Sequence, residues 1–555
     1  MKKQVIYDEK ERLAAEKVRS HGYHTRLKDG TVHPFRESIE YAVRLFDCGK
    51  DIERALKITE RVIEKQEKNE NSPFFGLWSY YLEEPLEKMS PPDFNWADFI
   101  GKQLLVIYID YAKYLSEALK EKIRQSLLAA CKCIMKRNVR VGYTNVAVMD
   151  SFLCAAAGEL LESKELLEYG VQKLRRVLEF TRSDGNIGEY NSPVYTIVAM
   201  GDINWLLRYV KNDGIRKDAE IFYGYLWESF AVSYHFKTGE LSGPQSRNYT
   251  DFLTDEQKSI ILCAAGIEKY EADVPERDRL YVPDKLRDYF TKPHESYEIT
   301  RISNGSCYPC FANTKVAASY ICEKFGMGSF NHDEMWNQTR PFLGFFGDED
   351  NKFAFKIQVL HDGYDFSDAE IHTAQYYGTA AGIVNFACDR GDTHICLDFI
   401  QNKTITARDL RVRFKISGNT KKLKTENNGS ELCAEYCGTS LRFAYAEAVF
   451  DGEKVRTELL KTDNELCFDM VLYCGEEREI TFDFPYEKYC AFVTDINNDE
   501  KAEAKCRASD GRIRLDYKNL SVETQANSVP FTMLNVNDKI LIDGADIEEL
   551  AVNKL

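Results

Sequence analysis

Residues 410–417, LRVRFKIS, set Leu410, Val412, Phe414 and Ile416 at alternate positions between Arg411, Arg413 and Lys415. Successive side chains of a strand point to opposite faces, so a period of two reads as a β-strand with one apolar and one wet face. Residues 511–517, GRIRLDY, repeat the alternation through Ile513, Leu515 and Tyr517. Similar runs stand at 353–360 (FAFKIQVL), 393–400 (THICLDFI) and 479–484 (EITFDF), with turn sequences such as ENNGS (426–430) and INND (496–499). Many short antiparallel strands imply a β-sandwich rather than a small barrel.

Upstream of these runs the period changes. From about residue 37 to 267 apolar residues recur at helical spacing, as in 51–66, DIERALKITERVIEKQ, where Ile52, Ala55, Leu56, Thr59, Val62 and Ile63 form one stripe. Residues 116–137 and 163–180 repeat it, with Ser116, Ser163 and Thr254 as expected N-caps and Thr254 with Gln257 as a capping box. Helices joined by short links and lacking a strict repeat fit an α/α toroid or an irregular helical array. The expected division is a helical domain over 1–290 and an antiparallel β-sandwich over 291–555, with the proline-bearing, charged segment 271–295 as linker. A chain of 555 residues exceeds what one core usually serves.

A formal charge of -16 disfavours nucleic-acid binding, which needs clustered Lys and Arg. The N-terminal MKKQVIYDEKERLAAEKVRS turns acidic before any apolar run develops, so no signal peptide is expected there, and no stretch is apolar enough to cross a bilayer; a cytoplasmic location is expected. The sixteen cysteines are scattered and read as reduced core thiols. Cys307 and Cys310 form a lone CxxC with no second half, better read as part of a strand pair than as a zinc set. His361, Asp362, Asp365 and His372, in HDGYDFSDAEIH, have cation-binding chemistry but read first as solvated loop residues; no metal and no cofactor are expected. Self-association is compatible with the sequence.

Three segments concentrate polar and aromatic residues beyond packing needs. Residues 141–150, VGYTNVAVMD, carry Asn145 at a helix start, where capping is the plain alternative. Residues 183–195, SDGNIGEYNSPVY, gather Glu189, Tyr190, Asn191 and Tyr195 around a proline that suits only a first helical turn. Residues 233–252 set His235, Gln245, Arg247 and Tyr249 about Gly243 and Pro244, which also reads as a hydrogen-bonded loop. The aromatic loops 74–85 and 91–99 offer Trp78, Tyr80, Tyr81 and Trp96 as a stacking surface for sugar rings.

Residues 184–195, DGNIGEYNSPVY, resemble the segment that follows a toroid helix and supplies a catalytic tyrosine in the heparinase II/III-like lyases and the related alginate and chondroitin lyases. In that family a glutamate, a Ser-Pro or similar pair and the tyrosine recur, which maps the acid onto Tyr195. YTNVAVMD is similar to the family segment whose asparagine holds the substrate carboxylate, which maps onto Asn145. The resemblance implies an α/α toroid followed by a β-sandwich, a uronate-containing oligosaccharide as substrate, and β-elimination without a cofactor; some relatives carry a structural metal in the sandwich. Many relatives have a histidine after the asparagine, where Val146 stands here. The base is then His332, from 328–347 (GSFNHDEMWNQTRPFLGFFG), with Glu334, Trp336 and Arg340 nearby in sequence, or else His235.

Elimination from a uronate needs donors such as Asn and Arg against the developing charge, a His or Tyr to take the C5 proton, and a Tyr hydroxyl to protonate the leaving oxygen. Two other functions stay open. A glycoside hydrolase would pair Glu189 with Asp150, Asp184 or Glu334, and a non-catalytic glycan binder would use Trp78, Tyr80, Tyr81 and Trp96.

Overall fold

The computed structural model describes residues 5–18, 24–303, 315–367, 369–386, 404–482, 487–498, 500, 502–509, 512–524, 534–536, 539–542 and 545–546. The expected strand at 393–400 and the pair Cys307 and Cys310 lie outside them. Helices fill the N-terminal half of the chain and antiparallel strands the C-terminal half. By compactness the residues group into two units, one of Met1–Ser183, Ile197–Leu226 and Glu268–Tyr281, the other of Asp184–Thr196, Trp227–Ile267 and Val282–Leu555.

The first unit opens with three short antiparallel strands, Ile6–Asp8, Leu13–Lys17 and Thr31–Val32, which the sequence period did not announce. Helix Phe35–Asp47 packs on Ile52–Glu64 and on Asn95–Asp110, and the last packs on Glu117–Arg137 and Thr144–Leu160. Ser116 caps its helix by accepting from Leu119 N, and Ser163 accepts from Leu166 N. Helix Thr144–Leu160 is buried continuously from Thr144 to Gly158, as a helix apolar on all sides must be. It meets helix Lys164–Asp184 backbone to backbone: a Cβ on Gly170 would stand 2.6 Å from Ala155 N, and Ser151 Oγ donates to Gly170 O at 2.7 Å.

The expected linker is not free chain. Arg277, within 271–295, is buried in the first unit, where it pairs with Asp47 at 2.6 Å and donates to Tyr111 at 3.2 Å. In the second unit Phe290 packs edge-on to Trp227.

The second unit is built of sheets. Among the described residues a nine-stranded sheet runs in the order Arg456–Lys461, Glu465–Thr481, Thr404–Gly418, Lys352–His361, Phe342–Gly347, Phe325–Phe330, Val316–Ile321 and Tyr297–Ile302, with Tyr364–Asp365 beside Lys352–His361. A seven-stranded sheet runs Lys424–Asn427, Glu431–Tyr436, Thr439–Phe450, Lys488–Ile496, Thr379–Phe386, Ala369–Tyr376 and His332–Glu334. Leu410, Val412, Phe414 and Ile416 all point into the core between the two. There Phe414 stacks on Phe443 at 4.0 Å, and Phe443 on Phe492 at 5.6 Å. Full burial of such a side chain contributes about 1.5–3 kcal/mol.

The sandwich has a third layer. Ile513, Leu515, Tyr517 and Val522, from the sheet of Lys505–Ser509, Arg512–Tyr517 and Leu520–Thr524, cover Ile383, Tyr489, Ala491 and Val493 on the other face of the seven-stranded sheet. Strands Thr379–Phe386 and Lys488–Ile496 are therefore buried along their whole length. On the outer face of the large sheet, Arg411 and Arg413 both pair with the buried Asp469, at 3.0 and 2.8 Å.

Candidate functional site

The candidate site lies within the second unit and begins with a helix start. Ser192 is the cap of helix Pro193–Tyr209: its Oγ accepts from Tyr195 N at 3.3 Å while donating to Arg247 O at 2.8 Å. Pro193 fills the first helical position, where a missing N–H costs nothing. Tyr195 is thereby fixed in the first turn. Before it, Asn191 adopts a left-handed backbone at φ 48° and donates from Nδ2 to Ser242 O at 2.9 Å and Pro244 O at 3.1 Å. Tyr190 is buried against Ala317 and Phe330, and burial pushes its phenol up to about 12. Its carbonyl accepts from both N and Oγ of Ser246, at 3.0 and 2.9 Å.

The loop carrying Arg247 is laid on the large sheet. Gly326 and Gly328 permit the approach: a Cβ on the first would stand 2.5 Å from Ser242 Oγ, and on the second 2.7 Å from Pro244 Cδ. Gly243 turns the loop at φ 90°, a conformation that a side chain would strain. Gln245 and Arg340 exchange backbone hydrogen bonds at 2.9 and 2.8 Å, and Asn248 N donates to Gln338 O at 2.7 Å. Beyond Tyr249, Asp251 is clamped by Lys356 at 2.6 Å and Lys415 at 3.3 Å. Burial opposes ionisation of Asp251, but the two ammonium groups outweigh it and hold the carboxyl far below its usual range.

These supports bring Tyr195, Arg247 and Tyr249 together. The two phenol oxygens share a short hydrogen bond, and Arg247 Nη2 donates to both, at 3.2 Å to Tyr195 and 3.3 Å to Tyr249. The guanidinium carbon lies 4.8 Å from the Tyr195 ring centre and 5.5 Å from that of Trp336. Gln338 Oε1 accepts from Nε at 3.0 Å and from Nη2 at 2.6 Å. Tyr249 is 50% exposed, so the cluster opens to solvent. Two phenols joined by one bond leave one hydroxyl proton between the oxygens and the other directed away, beside a fixed cation.

Other expected site residues take other positions. His235 is buried, with Nδ1 against Thr238 Oγ1 at 2.8 Å and Nε2 against Cys322 O at 3.0 Å; burial lowers its pKa to about 4. Both nitrogens serve the protein, so His235 is a packing residue rather than a base. His332 faces His372 across an antiparallel pair, ring centres 6.4 Å apart, and burial followed by Lys315 lowers its pKa. Glu334 is exposed on the same strand. Arg340 is a strut, its Nη1 donating to the carbonyls of Asn337 and Thr339 at 2.7 and 2.8 Å. Gln245 is buried, donating to Leu241 O at 2.9 Å and accepting from Asn248 Nδ2 at 2.6 Å. Glu189 is buried as well.

In the first unit, Asn145 is buried in the first turn of helix Thr144–Leu160, whose cap position is Tyr143. Trp78 is fully enclosed and donates from Nε1 to Val62 O at 2.8 Å, and Tyr81 is buried too; neither presents a ring to a ligand. Of the expected stacking surface Tyr80 and Trp96 remain, stacked on each other at 4.0 Å. Asp150 is sealed in the helical core near Lys173 at 3.8 Å, and burial raises its pKa to about 6; it is the enclosure that keeps this carboxyl from a glycan. The side chain of Asp184 lies outside the described set.

The loop HDGYDFSDAEIH is tied to the protein: His361 Nε2 meets Thr406 O at 2.9 Å, Asp362 accepts from Arg408 N and Asp409 N, and Asp365 accepts from Gln358. Gln338, Ser192 and Asn248 were not singled out by sequence. Their only signal was position, Gln338 between Trp336 and Arg340, the others beside Tyr195 and Arg247. Among the described residues no helix is long and apolar enough to cross a membrane.

The chain is similar to three solved lyases. Heparinase III matches with a TM-score of 0.42 and 9% identity, over 88% of this chain and 82% of that one. The heparan sulfate lyase HepC of Pedobacter heparinus matches at 0.33 and 10%, over 87% and 80%. The chondroitin AC lyase of Streptomyces coelicolor A3 matches at 0.39 and 10%, over 84% and 74%. No curated protein matches the chain. A family model described as Domain of unknown function (DUF8769) matches residues 16–294, half of the chain, and the protein belongs to that family.

Proposed function

We propose that this protein cleaves a uronate-containing oligosaccharide by β-elimination on the face formed by Tyr195, Arg247 and Tyr249. The observation that carries this reading is the pair of phenol oxygens bonded to each other under one guanidinium. In the reaction a base takes the C5 proton, the C4–O bond breaks as the C4=C5 double bond forms, and an acid returns a proton to the leaving oxygen. Tyr195 is the acid. The geometry favours Tyr249 as base, since the guanidinium stabilises whichever phenol oxygen carries charge during transfer. His332, which its lowered pKa keeps neutral and able to accept a proton, is the second candidate base. Arg247 also opposes the charge that builds on the substrate carboxylate as C5 loses its proton.

The chemistry calls for no cofactor. The helical part is expected to complete an α/α toroid, and the reading extends to a cytoplasmic enzyme acting on short imported chains.

The test is incubation with uronate-containing oligosaccharides, following the ultraviolet absorbance of the unsaturated product. Tyr195→Phe and Arg247→Lys should each lose at least 100-fold in kcat, roughly the weight of a general acid or a transition-state donor. Reducing ends appearing without that absorbance would overturn the proposal in favour of hydrolysis. Loss of activity in His332→Gln but not in Tyr249→Phe would move the base to the histidine.

A further inference from the structure

A depression lies at one end of the sandwich, lined by none of Tyr195, Arg247, Tyr249, Trp336 or Gln338. It has a volume of about 810 Å³ and is lined by the hairpin turn at Tyr376–Tyr377, by Tyr320, and by the loops carrying Asn497, Asn498 and Lys518. That size falls within the range of about 300–1,000 Å³ usual for small-molecule sites.

Its aromatic wall is exposed. Tyr376 and Tyr377 keep 46% and 44% of their surface, with ring centres 4.3 Å apart at 63°, and Tyr320 meets Tyr377 edge-on at 5.1 Å. Tyr377 sits in the left-handed region, at φ 49°, in a two-residue turn between the paired Tyr376 and Thr379. That position suits Gly or Asn, and a tyrosine there is strained while its ring gains little burial. Backbone strain kept without a packing return marks a surface used for something else.

The polar lining is amide-rich and carries one exposed carboxylate, Glu500, which disfavours an anionic ligand. Lys518 is bound to the buried Asp495 at 2.7 Å, and Asp495 is held as well by Arg442 and Tyr517, so the lysine charge is spent inside the protein. Asn498 Nδ2 donates to Thr379 Oγ1 at 3.1 Å. Asn497 is exposed, and with its Oδ1 accepting from Ser440 N at 2.9 Å, Nδ2 is the part of its amide that can donate to a ligand. Tyrosine faces for the C–H side of a pyranose, amides for its hydroxyls and no unpaired cation for a carboxylate define the ligand class.

We infer that this depression is a non-catalytic binding site for a neutral glycan segment, distinct from the Tyr195 cluster. Titration calorimetry of the full chain with cellobiose, maltose, lactose and N,N′-diacetylchitobiose tests it. At least one disaccharide should bind with Kd on the order of 1 mM. Tyr377→Asn, which keeps a residue suited to the left-handed turn, combined with Tyr376→Ala should weaken that binding at least 10-fold without lowering the thermal midpoint. Tyr195→Phe should leave it unchanged. The inference is overturned if the native chain binds none of the four, if the double variant binds as tightly as the native chain, or if Tyr195→Phe abolishes binding. It is also overturned if the double variant dissolves a dimer of the native chain, which would make the tyrosines a protein interface.

Discussion

Arg247 places two of its donors, Nε and Nη2, on the single side-chain oxygen of Gln338. An amide oxygen held at 3.0 and 2.6 Å fixes the plane of the guanidinium and so aims Nη2 at both phenols. Gln338→Leu should leave Arg247 in place by charge and packing but unaimed, lowering kcat about 10–100-fold with a smaller change in KM. Gln338→Glu, which keeps the acceptor, should retain more activity than the leucine variant. Steady-state kinetics on the two variants decides the matter, and equal losses would reduce Gln338 to a packing residue.

Ser192 joins the helix start to the arginine loop through one hydroxyl. Ser192→Ala should destabilise by about 1 kcal/mol, the usual worth of a cap, and also lower activity; Ser192→Thr should restore both. Denaturant unfolding and initial rates measured on the same preparations would show whether the two losses travel together. If stability falls while activity holds, the hydroxyl does not position Tyr195.

Asp251 is the clamp at the other end of that loop. Asp251→Asn would leave Lys356 buried beside Lys415 with its countercharge gone, and breaking a buried pair in this way costs about 3–5 kcal/mol. Burial and Arg340 already lower the Lys356 pKa to about 8. The variant should therefore recover part of its loss as the pH is raised and Lys356 gives up its proton. Chemical denaturation at two pH values reads this directly, and a loss independent of pH would show that Lys356 is not the unpaired charge.

The helical unit should be weakened by alkali. Asp98 is fully buried and its carboxyl is held well above the usual range, by burial first and then by the charge of Asp150, which burial raises to about 6. An acid whose folded pKa exceeds its unfolded value holds its proton more tightly when folded. Its contribution is whole below the ordinary aspartate pKa of about 4 and is lost as the pH rises toward the raised folded value. Asp98→Asn, which keeps the neutral form, should raise the thermal midpoint at pH 8 by a few degrees and change it little at pH 5. An equal drop at both values would refute the assignment.

What the sequence disclosed, and what it hid, follows from the kind of signal each feature leaves. The apolar face of LRVRFKIS and the capping box of Thr254 and Gln257 are local patterns, and both stand in the structure as read. The three N-terminal strands left no trace, because IYD and LAAEK are too short to show a period of two. Trp78 and Tyr81 looked like a binding surface because aromatic content is visible in a sequence and burial is not. Tyr195, Arg247 and Tyr249 could be named from the turns beside them. Gln338 could not, since its role exists only where a loop some ninety residues downstream of Arg247 returns to it.

Gly326 and Gly328 make the sheet a ruler for the chemistry above it. With no side chain at either glycine, Ser242 and Pro244 rest directly on the sheet backbone, and that contact sets the height of the loop that carries Arg247. A lineage that wished to accommodate a bulkier acidic sugar could lift the arginine by one methyl group at either glycine, without altering any residue that meets the substrate.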